Sequence, residues 1–217
     1  MLTRARRIRI LIGLLLTLGV ATFLPLGQWG ATYSGIGLPL GREIFWWITV
    51  VVLLLYVPFG ERRTFASIGF RRPGVFDIML AVLAGLLMVG GIMVIYFVLF
   101  PMLHLQVNEA EIGTLMQTPF WYRVLLVTRA AVAEELLFRG YPIERLIELT
   151  GSRVFAAVVT CVAFTYAHLA GWGAPQLIVA GYGGVVLTIL YLWRRNLWAN
   201  MLAHWIADGA GFLLPHG

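Results

Sequence analysis

The sequence predicts an all-α fold, a polytopic transmembrane helical bundle of about seven spans with its buried ionisable groups on the last four. Three observations predict it. The 217 residues are 60% hydrophobic and 12% charged, where a soluble domain carries about 25% charged residues. Apolar runs close to the ~20 residues needed to cross a bilayer recur along the chain. All sixteen basic residues are arginine, and most sit in short connectors between the runs. There they orient a membrane protein, so the formal charge of +6 is not read as a nucleic-acid surface.

The first apolar run follows Arg4, Arg6 and Arg7 and reads as a retained span of about 8–26. A signal peptide would have a shorter hydrophobic core and a small-residue cleavage site. The second span is about 44–60, and a connector with Arg62, Arg63, Arg71 and Arg72 follows. The third is about 76–100, with Gly85, Gly90 and Gly91 permitting close helix contact. Residues 101–118 form a polar connector with Glu109 and Glu111. The fourth span starts near Pro119, and its helix is expected to run on through Glu144, Arg145 and Glu148 to a stop at Gly151. The last three are about 153–170, 174–193 and 197–214. A lone cysteine, Cys161, excludes an internal disulfide. Twelve arginines lie in 1–9, 61–74, 141–153 and 194–195, against Arg42 alone in the opposite connectors. That bias puts the N-terminus in the cytoplasm and, with seven spans, the C-terminus outside.

The fourth span holds the anomaly. Ala133-Glu134-Glu135-Leu136-Leu137-Phe138-Arg139-Gly140 places two carboxylates and a guanidinium in an apolar run. Each such charge costs roughly 2.5–3.5 kcal/mol at the centre of a membrane helix. Glu135 and Arg139, four apart, share a helix face in the favourable order for an ion pair. Glu134 lies about 140° from Arg139 and is left as the carboxylate free for chemistry. Two further sets follow. Phe164 and His168 are four apart in the fifth span, and Asn200, His204 and Asp208 form a stripe in the seventh. Singly, each has a plain structural role as packing residue or interhelical clamp. Jointly, three spans carry ionisable groups on one face, and such groups face a shared interior.

A carboxylate and an imidazole converging on one water can take its proton near neutral pH. A second histidine with a neighbouring Asp or Asn can donate to the oxyanion formed on a carbonyl. The same four side chains, Glu134, His168, His204 and Asp208, could instead hold Zn2+. Other routes fit worse. The three serines, Ser34, Ser67 and Ser152, lack a Gly-x-Ser-x-Gly setting. Asp77, the partner a two-aspartate mechanism would need, sits at a span entrance, and no His-Glu-x-x-His is present.

Glu134-Glu135-x-x-x-Arg139-Gly140, then Phe164-x-x-x-His168, then His204-x-x-x-Asp208, in that order on late spans, resembles the CPBP family. These are the CAAX-protease and bacteriocin-processing (Abi) intramembrane endopeptidases. The resemblance covers roughly residues 119–214, the helical core, and leaves 1–118 as N-terminal spans and connector within one membrane domain. It implies that Glu134 with His168 activates water, that His204 with the residue four later forms the oxyanion site, and that Glu135 and Arg139 support both. It also implies a membrane-associated or lipidated protein or peptide as substrate. The family often has Asn where this chain has Asp208. An ionised Asp repels an oxyanion, so Asp208 is expected to be protonated, to orient His204 or to bind a metal. A non-catalytic immunity or scaffold protein of the same fold is the first alternative. A proton-coupled transporter ranks behind it, because the two halves of the chain do not look alike. One difficulty stands at this stage: counted from Pro119, the depths of Glu134 and His168 differ by more than about 10 Å.

Overall fold

A computed structural model describes residues 2–23, 38–106 and 109–214, and within them every regular element is helical. The end of the first expected span, 24–26, and most of the loop after it lie outside the described residues. Helix α1 comprises Arg4–Leu14, a π-turn at Leu15–Gly19 and Val20–Phe23. Thr3 caps its start by accepting the Arg6 N–H. Helix α2 joins Leu38–Leu55 to a π-turn at Tyr56–Gly60. Helix α3 joins Val75–Val94, a π-turn at Ile95–Leu99 and Phe100–Met102. A short α4, Glu109–Met116, occupies the polar connector.

Helix α5 is continuous from Phe120 to Thr150 through two π-turns, Ala130–Glu134 and Leu136–Gly140. Gly151 ends it with a left-handed φ of 73°. Helix α6 comprises Arg153–Ala167 and, after a break at His168, Leu169–Trp172. Helix α7 is Gln176–Arg194 and helix α8 is Leu197–Phe212. Three of the π-turns have a proline beside or inside them: Pro58, Pro101 and Pro142. A proline cannot donate to the carbonyl four residues back, and a wider turn absorbs the lost bond. The turn at Ala130–Glu134 has none.

Four helices are both long and apolar enough to cross a membrane: Leu40–Gly60, Val75–Met102, Arg153–Trp172 and Gln176–Arg194. Among the described residues, length and composition alone single out four of the seven expected spans. The other three fall short for physical reasons. Helix α1 opens with four arginines, α5 carries the charged core, and α8 has 16 residues against the ~20 a full crossing needs. Large apolar side chains on the outer face of α3, such as Leu83, Leu86 and Leu87, are more than half exposed, as on a lipid-facing surface. The chain is an integral membrane protein.

Helix α5 is the axis of the core. Ala133, Leu136, Leu137, Phe138 and Tyr141 are fully buried, and side chains from α1, α2, α6, α7 and α8 close over them. Helix α8 packs along α3 at Gly85, where a methyl would sit 2.8 Å from Ile206 Cβ. Gly91 receives the Tyr182 ring, while Gly90 has open space around it and makes no close contact. The arginine-rich connectors meet at one end of the bundle. There Arg6 and Arg63 pair with Glu148, Arg145 with Glu61, Arg194 with Asp77 and Arg195 with Glu144. Asp77 thus sits in a structural ion pair and also accepts the Gly74 N–H at 2.9 Å.

Gly140 is a close-approach glycine. A methyl there would lie 2.6 Å from Leu197 Cδ1 and 2.7 Å from the Ile68 carbonyl oxygen. The second contact is backbone and cannot turn away. Gly140→Ala gains about 1 kcal/mol of helix propensity, but overpacking costs about 1–3 kcal/mol. The expected outcome is a net loss of stability, read as a lower unfolding temperature in detergent. An unfolding temperature equal to or above the parent's would show that the connector at Ile68 and the start of α8 can both shift.

Candidate active site

The depth difficulty disappears when residues are counted from the turn joining α5 and α6. Glu134 lies sixteen residues before Thr150 and His168 fifteen after Arg153, so an antiparallel pair brings them level. The same count sets Arg139 beside Phe164, and the Arg139 guanidinium lies 3.9 Å from the centre of that ring. Helix α5 extends well beyond this level toward Phe120, so the start of the helix near Pro119 does not mark the depth of the site.

Two networks occupy adjacent residues of α5. Glu135 and Arg139 are fully buried and paired at 3.0 Å. The Glu135 carboxylate makes two further contacts. His204 Nδ1 lies 2.9 Å from Oε1, and Asn200 donates to Oε2 at 3.0 Å. Asn200 also donates to the Leu187 carbonyl at 2.7 Å, which ties α7 to the same point. Glu135 therefore holds α8 against α5 through both Asn200 and His204.

Glu134 faces a different set. Its Oε1 accepts from Arg129 Nη1 at 3.0 Å, and Arg129 Nε donates to Glu43 Oε2 at 2.9 Å. Glu43 and Arg129 are both buried. Sequence reasoning missed this pair. Arg129 and Glu134 are five apart, about 140° on an ideal helix, and the π-turn Ala130–Glu134 between them aligns five-residue neighbours instead. Glu43 comes from the start of α2, and only the fold could pair it. An acidic residue set just inside an apolar run was the one available signal.

The second oxygen of Glu134 is free for other contacts. His168 Nε2 lies 3.8 Å from Oε2, beyond a direct hydrogen bond. His168 Nδ1 sits 2.8 Å from the Phe164 carbonyl, which makes Nδ1 the protonated nitrogen and leaves Nε2 as an acceptor. One water about 2.8 Å from each could donate to both. His204 Nε2 approaches Asp208 Oδ2 at 3.4 Å, and Asp208 is partly exposed. A cavity of about 230 Å³ is lined by Arg129, Glu134, His168, His204 and Asp208 together with apolar groups from α3, α5 and α7. All four candidate residues reach it, and Glu135 and Arg139 lie behind it.

The four do not form a metal cage. Among the described residues no three His, Cys, Asp or Glu side chains gather as a cation site. Both nitrogens of His204 already face carboxylates, and one oxygen of Glu134 is taken by a guanidinium.

Residues 116–210 match the family model described as type II CAAX prenyl endopeptidase Rce1-like. Over this stretch the chain is similar to the Rce1-like family. The Rce1-like stretch covers α5 to α8 with the end of α4, and so holds every candidate residue except Glu43. Comparison with curated proteins and with solved structures gives no match. The family is one of membrane endopeptidases, and the helices long enough to span a bilayer agree with that setting.

Proposed function

We propose that the chain hydrolyses a peptide bond of a membrane-associated or lipidated polypeptide with a water held between Glu134 and His168. The observation that carries the reading is the 3.8 Å gap between Glu134 Oε2 and His168 Nε2 at the wall of an open cavity. The water donates one hydrogen to each and turns a lone pair toward the substrate carbonyl. As the new C–O bond forms, its proton passes to Glu134 and the carbonyl oxygen becomes an oxyanion. Collapse breaks the C–N bond, and Glu134 returns the proton to the leaving amine.

His204 supplies the oxyanion donor. Nδ1–H donates to Glu135 Oε1, and in the doubly protonated ring Nε2–H points into the cavity beside Asp208. Asp208 replaces the Asn common in the family. An ionised Asp208 repels an oxyanion, and the charge of that imidazolium offsets the repulsion. Arg129 anchors Oε1 of Glu134 and leaves Oε2 for the water. No step is routed through a metal. The arginine-rich end is read as cytoplasmic, which opens the site toward the opposite side.

The test is cleavage of membrane-anchored peptides by the reconstituted protein in 18O water. One label is expected in the new carboxylate, with no covalent enzyme adduct. Activity is expected to survive a strong chelator, with elemental analysis of the purified protein alongside. Loss of activity on chelation, restored by Zn2+, would replace the metal-free route. Failure to cleave any anchored peptide would favour the non-catalytic reading.

A further inference from the structure

At the arginine-rich end a second cavity of about 460 Å³ lies between the start of α1, the loop after α2 and the end of α5. It is far from the candidate site, and no step above uses it. Five arginines (Arg6, Arg9, Arg62, Arg63 and Arg145) and two glutamates (Glu61 and Glu148) line it. The carboxylates are already committed. Arg145 grips Glu61 through Nε and Nη2, and Arg6 and Arg63 share the single carboxylate of Glu148. Arg9 and Arg62 have no carboxylate partner among the described residues. Arg62 also holds a left-handed φ of 58°, a strain that non-glycine residues store at clamps.

We propose that this cavity binds a phosphate group, that of an anionic phospholipid in the leaflet at this end. Guanidinium forks match phosphate oxygens in pairs, and basic pockets between membrane helices at this level take anionic headgroups. Exposed apolar side chains close to the lining residues along α1 and α2 favour a lipid over free phosphate. Ile12, one step round α1 from Arg9, is 45% exposed, and Phe59, just before the loop, is 77% exposed. The Tyr56 hydroxyl donates to the Arg9 carbonyl at 2.7 Å, which holds α1 and α2 together beside the cavity. A headgroup between Arg9 and Arg62 can lay its acyl chains along this apolar seam.

The experiment is native mass spectrometry of the purified full chain, with titration by phosphatidylglycerol, phosphatidylcholine or inorganic phosphate. The parent is expected to retain phosphatidylglycerol selectively. Arg9→Gln/Arg62→Asn, in which Asn tolerates the left-handed backbone, is expected to weaken retention by about tenfold. Arg72→Gln, a charge removed from the same connector outside the cavity, should leave it within about twofold. Unfolding temperature and helical circular dichroism report folding of each variant. Equal retention by the double variant and the parent, or equal binding of phosphatidylcholine, overturns the proposal. Displacement of the lipid by millimolar inorganic phosphate overturns the lipid as the source.

Discussion

Glu134→Gln is expected to abolish measurable cleavage while leaving the fold and its unfolding temperature intact. The structural half of this expectation follows from the contacts. Gln keeps an oxygen to accept from Arg129 Nη1, so the tie from α5 through Arg129 to Glu43 survives. The substitution is nearly isosteric and removes a charge rather than stranding one. The chemical half follows from what faces His168. An amide cannot take a proton from water, and its NH2 would add a donor where an acceptor is needed. Loss of general-base catalysis alone costs about 10²–10⁴-fold in rate. The effect belongs in kcat, with KM for the peptide little changed, because the carboxylate acts on the water and not on substrate binding. Turnover within a few-fold of the parent would remove Glu134 from the mechanism, whatever its position in the cavity.

The helical class was legible because bilayer crossing imposes its own code: apolar runs of fixed length with arginines between them. The span count was less legible. Seven apolar runs do become helices, but hydropathy does not register that α8 is short and packs along α3 at Gly85. The candidate residues were legible where partners sit four apart, as with Glu135–Arg139 and His204–Asp208. Legibility failed in two ways. Arg129 and Glu134 meet across a π-turn that no 3.6-residue period announces and that has no proline to mark it. Glu43 is 86 residues from Arg129 in the chain, and a pairing at that separation belongs to the fold alone. The depth mismatch was an error of origin: helix pairs register from their shared turn, not from the first residue of either helix.

Removing the charges behind the cavity should damage the protein in a different way, and the two members of the pair should not be equal. Loss of one partner from a buried ion pair costs about 3–5 kcal/mol, because the other is left charged and unpaired. Arg139→Ala leaves Glu135 with two donors, Asn200 Nδ2 at 3.0 Å and His204 Nδ1 at 2.9 Å. Among the described residues, Glu135→Ala leaves the fully buried Arg139 guanidinium with only the Gly184 carbonyl at 3.5 Å and the Phe164 ring. It also frees Asn200 and His204 from α5. Glu135→Ala is therefore the more destabilising, near the upper end of that range, and Arg139→Ala lies near the lower. Replacing both by apolar residues, Glu135→Leu with Arg139→Met, should recover part of the loss, since no charge is then stranded. Thermal unfolding in detergent checks the order. A double variant less stable than both single variants would mean that Asn200 and His204, rather than the ion pair, account for the stability at this crossing. An Arg139→Ala protein as stable as the parent would mean that the pair contributes nothing there.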